Sequence, residues 1–445
     1  MCLIGLLLLD PTRTRHFVTI KLSVLRYGEM QCITVSGLGQ EMVSSSITYA
    51  LYTKALSVAQ QHSLFEVEKG TPLSLESLGD RSDVDAWEAW ARAESTKRMI
   101  CCMIMVDSFF AANLGTSPII RLDTLKLYAP CATYLFAADD AGRWSQLDTS
   151  RSFARQVTVE SGLEPSACFP MGLGSSSLGL STLLSIAWLR LADVRHRTVL
   201  TNKCLAGSET LIPGKIYKRD AAGGALVPIL QQIYSNYGGN LGLGQPNHMI
   251  FWHNMCICLT ADLDMFETGA GRQGRDSALL AIDGIGKWSG TPAARRACLH
   301  AAQAYKCMVN KKVTDGISFL SETALFNAAL VLGFYSYVSP TAEDEPSFLE
   351  PDVFELLDDV DWGKVGNEGL PDSDVSRPTQ DPAAHFIRSG GQVKFAGMRL
   401  PGGFGSARKV ILEYVGLLEE VGKWKAGEFC RILRTLSDSP VDLDP

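Results

Sequence analysis

The chain has 445 residues, of which 46% are hydrophobic and 20% charged, and its formal net charge is -7. A chain of this length and composition can bury a large core, which excludes an intrinsically disordered protein. The sequence contains no dense run of Lys and Arg. Because a DNA-binding surface requires clustered positive charge, the printed sequence predicts no DNA-reading element.

The cysteines do not follow a metal-binding spacing. Twelve are scattered along the chain, whereas a C2H2 finger or a Zn2Cys6 cluster requires closely spaced ligands. Two sets of residues come nearest to a ligand set: His253, Cys256 and Cys258, and Cys298, His300 and Cys307. Buried cysteine usually behaves as a small apolar residue, so we predict no metal and no cofactor in this chain. Scattered thiols favour a reducing cytosol or nucleus over secretion.

Apolar residues recur at helical spacing through most of the sequence. In chain order they predict helices over residues 44–62, 83–107, 178–194, 226–237, 249–267, 275–288, 292–310, 321–337 and 406–421. Strand alternation is limited to residues 17–25 and 392–398. Long helices with short connections predict an all-α fold, a multi-helix, bundle-like domain with a few short irregular strands. The longest apolar stretches have about 15 residues, fewer than the roughly 20 that cross a bilayer, so no membrane partner is expected.

The helix predicted at residues 83–107 carries an unusual stripe. Trp87, Trp90, Glu94 and Arg98 recur at spacings of three and four, which places them on one helical face. Glu94 and Arg98 lie one turn apart and form a predicted ion pair. A tryptophan-rich face with such a pair indicates charges packed in or beside a core.

This stripe resembles the W-x-x-W-x-x-x-E-x-x-R helix of the fungal-specific transcription factor regulatory domain, also called the middle homology region. The resemblance continues through residues 113–144, with A-P-C-A-T-Y-L-F-A-A followed by Trp144; Leu135 and Phe136 stand where the family usually has Trp. Residues 252–311, with WHNMCICLTADLDMFETGAGRQG and KWSGTPAARRACLHAAQAYK, are similar to the subgroup in which this domain follows C2H2 zinc fingers. Shorter similar stretches lie at residues 324–337, 360–369, 390–397 and 402–424.

The resemblance also implies a domain organisation. It comprises a poorly matching segment at 1–44, a helical regulatory domain at 45–338, an acidic, Pro-containing segment at 339–381, the C-terminal helical part of the same domain at 382–435, and a tail at 436–445. Because residues 1–44 match poorly, two alternatives stay open for the start of the chain: Met1 is the true start, or the gene model is truncated or misread there.

The implied function is that of a regulatory module of a fungal zinc-finger-type transcription factor, which controls RNA polymerase II transcription in the nucleus and is not an enzyme. The implied partners are protein coregulators or a homo- or heterodimer partner. DNA and zinc are expected to bind only through an N-terminal zinc-finger region that this sequence lacks. The residues implied as the structural motif are Trp87, Trp90, Glu94, Arg98, Asp107, Trp252, Arg295 and Arg296.

Two residues of the helix predicted at 292–310 carry further expectations from the resemblance. Arg295 or Arg296 is expected to pair with an acidic side chain. His300 is expected to be a buried core or interface histidine and not a catalytic base.

Residues 339–381 contain thirteen acidic residues and two basic ones, Lys364 and Arg377. Within them, FLEPDVFELLDDVDW mixes acids with Phe, Leu and Trp, as acidic activation segments do. The alternative is a solvated acidic loop with one short amphipathic helix. We favour this alternative, because acidic-hydrophobic composition is a weak signal. The resemblance also runs through Asp361 and Trp362, which suggests that this part of the segment packs on the domain.

Other functions stay open as alternatives. Residues 169–179, FPMGLGSSSLG, resemble the phosphate-binding loop of small-metabolite kinases of the galactokinase and mevalonate kinase type, with a second glycine-rich stretch at 402–406. Those kinases have a strand before the loop, whereas residues 156–166 make a poor strand, so a Gly/Ser linker explains the same letters. Residues 269–274, G-A-G-R-Q-G, indicate a helix C-cap and turn. The remaining alternatives are a repurposed helical catalyst and a finger-less interaction protein that competes with full-length relatives for dimer partners.

Overall fold

The computed structural model describes residues 41–61, 82–122, 126–147, 158–160, 176–202, 212–244, 246–312, 315–340, 353–370, 381–422 and 425–438. Of these residues 76% are helical, which confirms the predicted all-α, multi-helix fold. The strand predicted at 17–25 and most of the glycine-rich loop, residues 169–175, lie outside the described residues.

The chain divides into two compact units, residues 1–197 and 198–445, and the boundary falls within one helix. The domain boundaries that the resemblance implies, at residues 45, 338, 381 and 435, stay predictions. The first unit contains these described elements: α1 (Glu41–Gln61), α2 (Asp83–Leu114), β1 (Lys126–Tyr128), α3 (Thr133–Phe136), α4 (Ala141–Leu147), β2 (Thr158–Glu160) and the greater part of α5 (Ser177–Asn202). Strands β1 and β2 form an antiparallel pair.

Local signals at both ends define α2. The Ser82 hydroxyl oxygen accepts a hydrogen bond of 3.2 Å from the Asp85 N–H and so caps the first turn. Asp83 and Asp85 add negative charge at the positive end of the helix dipole. Gly115 ends the helix in the left-handed conformation, with φ 60°. The helix therefore extends beyond its predicted end at residue 107.

Helix α5 is longer than the sequence predicted. Residues Ser177–Thr198 are long and apolar enough to cross a membrane. The most apolar 18-residue stretch within them has a mean hydropathy of 1.3, yet 67% of that stretch is buried inside the protein. On the face towards α2, the Ser108 and Ser185 hydroxyls lie 3.3 Å apart. A buried core helix of this kind meets the same criteria of length and composition as a membrane helix.

The described elements of the second unit are, in order, α6 (Pro213–Tyr217), α7 (Ala221–Gly224), α8 (Leu226–Gly244), α9 (Pro246–Thr260), α10 (Leu263–Gly269), α11 (Arg275–Ser289), α12 (Pro292–Val309), α13 (Phe319–Val338), β3 (Phe354–Glu355), α14 (Trp362–Val365), α15 (Pro382–Ser389), β4 (Val393–Phe395), β5 (Met398–Leu400), α16 (Gly403–Val421) and α17 (Ala426–Asp438). The sequence predicted one helix over 249–267, but Asp262 caps a separate α10 with its side chain.

Helices α9, α12, α13 and α16 form the core of the second unit. Between α9 and α13, the Asn327 amide donates to Asn254 Oδ1 at 3.0 Å. Between α12 and α16, the Tyr414 hydroxyl donates to the Ala301 carbonyl at 3.0 Å. At Gly333, α13 and α16 approach so closely that a Cβ would lie 2.9 Å from Ile411 Cγ1. This packing fixes the positions of α9 and α12, which carry most of the second cluster described below.

The strand predicted at residues 392–398 is instead a β-hairpin. Strand β4 pairs antiparallel with β5, and β3 pairs parallel with the other edge of β4. The chain reverses at Ala396 and Gly397, which both have positive φ, 51° and 76°, as a type I′ turn requires. The prediction is confirmed for residues 393–395 and wrong for the two-residue turn that follows them, because an alternating pattern does not reveal such a turn.

Gly402 occupies a position where we expect any side chain to destabilise the fold. Its φ of 95° and ψ of 175° lie in a region that only glycine adopts readily, and a Cβ would lie 2.5 Å from the Ser339 carbonyl oxygen. We expect Gly402→Ala to lower the free energy of unfolding by at least about 1–3 kcal/mol, measured by urea unfolding. The control is Gly416→Ala, an exposed position within α16 where a Cβ would meet nothing within 4 Å; it should raise stability by roughly 0.5–1 kcal/mol. Equal effects of the two substitutions would contradict this account.

Candidate functional site

The first candidate site surrounds the tryptophan stripe of α2. Trp90 is buried and packs on Trp144 of α4, with ring centroids 5.4 Å apart. Ala86, Leu135 and Ala138 complete this apolar cluster. Trp87 packs against its edge, and its buried indole N–H has no hydrogen-bond partner among the described residues. Trp90 therefore holds the short helices α3 and α4 against α2.

The Glu94 carboxylate lies fully buried beside this cluster. Its Oε1 accepts hydrogen bonds from Arg98 Nε at 3.0 Å and from the Cys131 backbone N–H at 2.8 Å. Arg98 in turn donates through Nη2 to the Cys131 carbonyl at 2.8 Å, and its guanidinium carbon lies 4.0 Å from the centre of the Phe136 ring. Lys97 Nζ lies 3.3 Å from the second carboxylate oxygen. The predicted Glu94–Arg98 pair thus binds both backbone groups of one loop residue.

Asp107 fastens the loop that follows α2. Its carboxylate accepts hydrogen bonds from the Ile119 and Ile120 backbone N–H groups at 3.1 and 2.9 Å. Burial raises the pKa of Asp107, while the hydrogen bonds from Ile120, Ile119 and Tyr52 act in the opposite direction. In these contacts Asp107 orders backbone, as Glu94 does.

The second candidate site is an aromatic and histidine cluster in the second unit. Trp252 of α9 is buried and donates its indole N–H to the Leu230 carbonyl of α8 at 2.9 Å. Beside it, the Nδ1 atoms of His253 and His300 lie 2.9 Å apart. His300 stacks flat on Trp362 of α14, with centroids 3.7 Å apart and an interplanar angle of 7°. Four rings from three helices therefore form one buried cluster.

The histidine pair is neutral in the folded protein. A contact between two Nδ1 atoms requires that one carries a proton and the other accepts it. Burial lowers the pKa of His253 to about 3. Burial also lowers the pKa of His300 well below its ordinary value, and the neighbouring Arg296 and His253 lower it further. The expectation of a core histidine agrees with this position of His300.

The expected acidic partner of Arg295 or Arg296 was wrong, because both guanidinium groups bind backbone carbonyls. Arg296, buried, donates through Nη1 to the Gly366 and Glu368 carbonyls at 2.9 and 2.7 Å. Arg295 donates to the carbonyls of Ile387 and Arg388 at the end of α15, at 2.7 and 2.9 Å. Carbonyls at helix ends and turns lack intrahelical partners, which makes them strong acceptors for a buried cation.

Within the described residues, the positions considered as metal ligands or glycine-rich loops are buried or half-buried thiols, buried histidines and helix ends; residues 169–175 of the phosphate-loop candidate lie outside the described residues. Within the described ranges, no group of three or more His, Cys, Asp or Glu side chains could hold a metal ion. Burial raises the pKa of the Cys256 and Cys307 thiols to about 12, so both are protonated at neutral pH. Residues 269–274 close α10 and begin α11, as predicted. The stretch at 402–406 begins α16 and packs against Ser339.

Sequence reasoning missed the partners that complete both clusters. It did not predict that the backbone of Cys131 binds Glu94, nor that His253 faces His300. The resemblance through Asp361 and Trp362 suggested that this part packs on the domain, and Trp362 is buried, but its stacking on His300 was not predicted. A tryptophan amid acidic residues was the available signal, because an indole there is usually buried on some surface.

Comparison with known proteins finds no matching family model, no matching curated protein and no matching solved structure. The roles of the two clusters therefore follow from their own contacts.

We expect substitutions of two glutamates of α2, one buried and one exposed, to differ strongly in their effect on the free energy of unfolding. Glu94→Ala removes the carboxylate that Lys97, Arg98 and the Cys131 N–H share, so we expect a loss of about 3–5 kcal/mol in the free energy of unfolding. Glu88→Ala removes an exposed pair with Arg92 on the same helix and should cost less than about 1 kcal/mol. Urea unfolding of both variants measures the difference, and similar losses would refute the buried-pair interpretation.

The histidine pair predicts that acid destabilises the protein. An unfolded histidine takes up a proton near a pH of about 6.5, whereas His253 stays neutral in the folded state down to about 3. Between these values the unfolded state binds more protons, so the free energy of unfolding decreases as the pH falls, by about 1.4 kcal/mol per pH unit for each such histidine. In urea unfolding between roughly pH 6 and pH 4.5, His253→Gln should reduce this slope by about one proton. An unchanged slope would argue against a neutral buried His253.

Proposed function

We propose that this chain is the regulatory module of a fungal zinc-finger-type transcription factor and controls RNA polymerase II transcription through contacts with other proteins. One observation carries the proposal. Two separate segments that resemble the regulatory domain contact each other: Glu94 and Arg98 of the W-x-x-W-x-x-x-E-x-x-R stripe bind both backbone groups of Cys131 in the A-P-C segment. Trp90 of the same stripe packs on Trp144.

This contact in the folded chain supports the resemblance independently of the sequence similarity. Glu94 and Cys131 are 37 residues apart in the chain, and neither local helical spacing nor composition requires that they meet. A chance match within one helix gives no reason for its charged pair to bind the next family-like segment. A shared structural role of these residues does give such a reason.

The proposed module acts indirectly on DNA. With a net charge of -7 and no basic run, the chain is repelled by the phosphate backbone. Coregulators or a dimer partner are therefore its proposed partners, in the nucleus, and DNA and zinc belong to a zinc-finger region that this sequence does not contain. Its buried clusters order loops on a helical scaffold, and such ordered loops can present surfaces to other proteins.

A reporter assay tests the proposal. The chain is fused to an unrelated DNA-binding domain, and transcription from a matching promoter is compared with that of the DNA-binding domain alone. We expect the fusion to change reporter transcription, Glu94→Ala to abolish the change because the α2 cluster is lost, and Glu88→Ala to retain it. A fusion that accumulates normally in the nucleus and leaves transcription unchanged would refute a regulatory function.

A further inference from the structure

Residues 356–370, called the strap here, lie across helices α8, α9 and α12 with their apolar side chains inward. Leu356, Trp362 and Val365 are buried, and Trp362 enters the slot formed by His300 and Trp252. The acidic side chains point the other way: Asp358, Asp359 and Asp361 are exposed. The strap therefore buries the apolar residues that an acidic activation segment uses to dock.

Helical side chains bind the backbone of the strap at successive positions. Gln303 donates to the Leu356 and Asp358 carbonyls at 2.8 and 2.7 Å. Arg296 donates to the Gly366 and Glu368 carbonyls beyond Trp362.

Further contacts lie between and beside these carbonyls. Tyr234 of α8 packs on Trp252, with ring centroids 5.1 Å apart. Lys306 pairs with the Asp359 carboxylate at 2.6 Å, and Gln231 of α8 donates to the Asn367 side chain. Polar side chains of α8 and α12 thus bind both ends of the strap, at residues 356–359 and 366–368.

These contacts have the chemistry of peptide recognition. Arg296, His300 and Gln303 are spaced four and three residues apart, so they form one row on α12. The outer two bind main-chain carbonyls, which any peptide supplies, and the middle one stacks on an indole, which only tryptophan supplies. Lys306 adds positive charge at the rim, opposite an acidic side chain. Main-chain hydrogen bonds, one aromatic anchor and a charged rim are the elements by which domains bind short segments of partners.

We propose that the row on α12, together with Tyr234 and Trp252, is a peptide-docking site whose built-in occupant is the strap. Its external partner is an acidic peptide that carries a tryptophan after aspartates, as Asp359-Val360-Asp361-Trp362 does. Binding of that partner displaces the strap, while β3 stays paired with β4. This inference rests on the proposed regulatory function, because exchange between the strap and a partner segment couples partner binding to exposure of the strap's apolar residues.

Peptide binding tests the exchange. The probe is a fluorescently labelled synthetic peptide of residues 356–370, titrated into the full chain. Because the built-in strap competes with the probe, Trp362→Ala in the chain should tighten binding by about tenfold or more. A probe with the same substitution should bind neither chain. Lys364→Ala, an exposed strap position, is the matched control and should bind the probe as the wild type does.

A second variant applies if Trp362→Ala does not fold by circular dichroism. Asp359→Ala combined with Asn367→Ala removes two exposed strap side chains and leaves the docking residues intact, so it should also bind the probe more tightly than the wild type. Hydrogen exchange of the wild type gives a measurement without substitution: excess probe should accelerate exchange of strap amides and not those of α12.

Three results would overturn the proposal. The first is equal probe binding by the wild type and by folded Trp362→Ala or Asp359→Ala/Asn367→Ala. The others are equal binding of the probe that lacks tryptophan, and strap amides that exchange only with global unfolding. The reporter assay is independent of these results. A strap that never exchanges leaves a positive reporter result standing, and exchange without any reporter effect leaves the docking site but removes the transcriptional function.

Discussion

The structure depends on one constraint: non-helical backbone must find hydrogen-bond partners where it is covered by helices. In the first unit the buried Glu94 carboxylate meets this requirement for the Cys131 N–H, and Arg98 meets it for the Cys131 carbonyl. In the second unit Arg296 and Gln303 bind the carbonyls of the 356–370 segment. These four side chains, on buried faces of helices, therefore hold loops in place through hydrogen bonds to loop backbone.

This division explains what the sequence could reveal. The helices and the stripe of Trp90, Glu94 and Arg98 were predictable, because helical spacing is information local to ten or twenty residues. The partners were not, because they lie far along the chain: Cys131 is 37 residues from Glu94, and Gly366 is 70 residues from Arg296. An arginine in a sequence suggests a carboxylate partner by charge alone, whereas the carbonyls that Arg295 and Arg296 bind are invisible in a pattern of side chains.

The histidine cluster shows the same constraint acting on protonation. His300 lies between Trp362 and His253 and beside Arg296, so a proton added to the ring would place a second positive charge in an apolar site. The neutral ring instead offers a flat face to an indole.

The strap can either fill the docking site of its own chain or bind another protein. Trp362 is either buried against His300 or available to another protein, and it cannot be both at once. The carbonyl contacts of Gln303 and Arg296 add affinity that does not depend on the strap's own side chains, so an external peptide can replace them without loss. The tryptophan and the aspartates before it then determine whether the strap or the external peptide binds the site more tightly. A site built in this way selects partners that resemble its own occupant, and the concentration of such a partner sets how often the acidic, apolar segment of this chain is exposed.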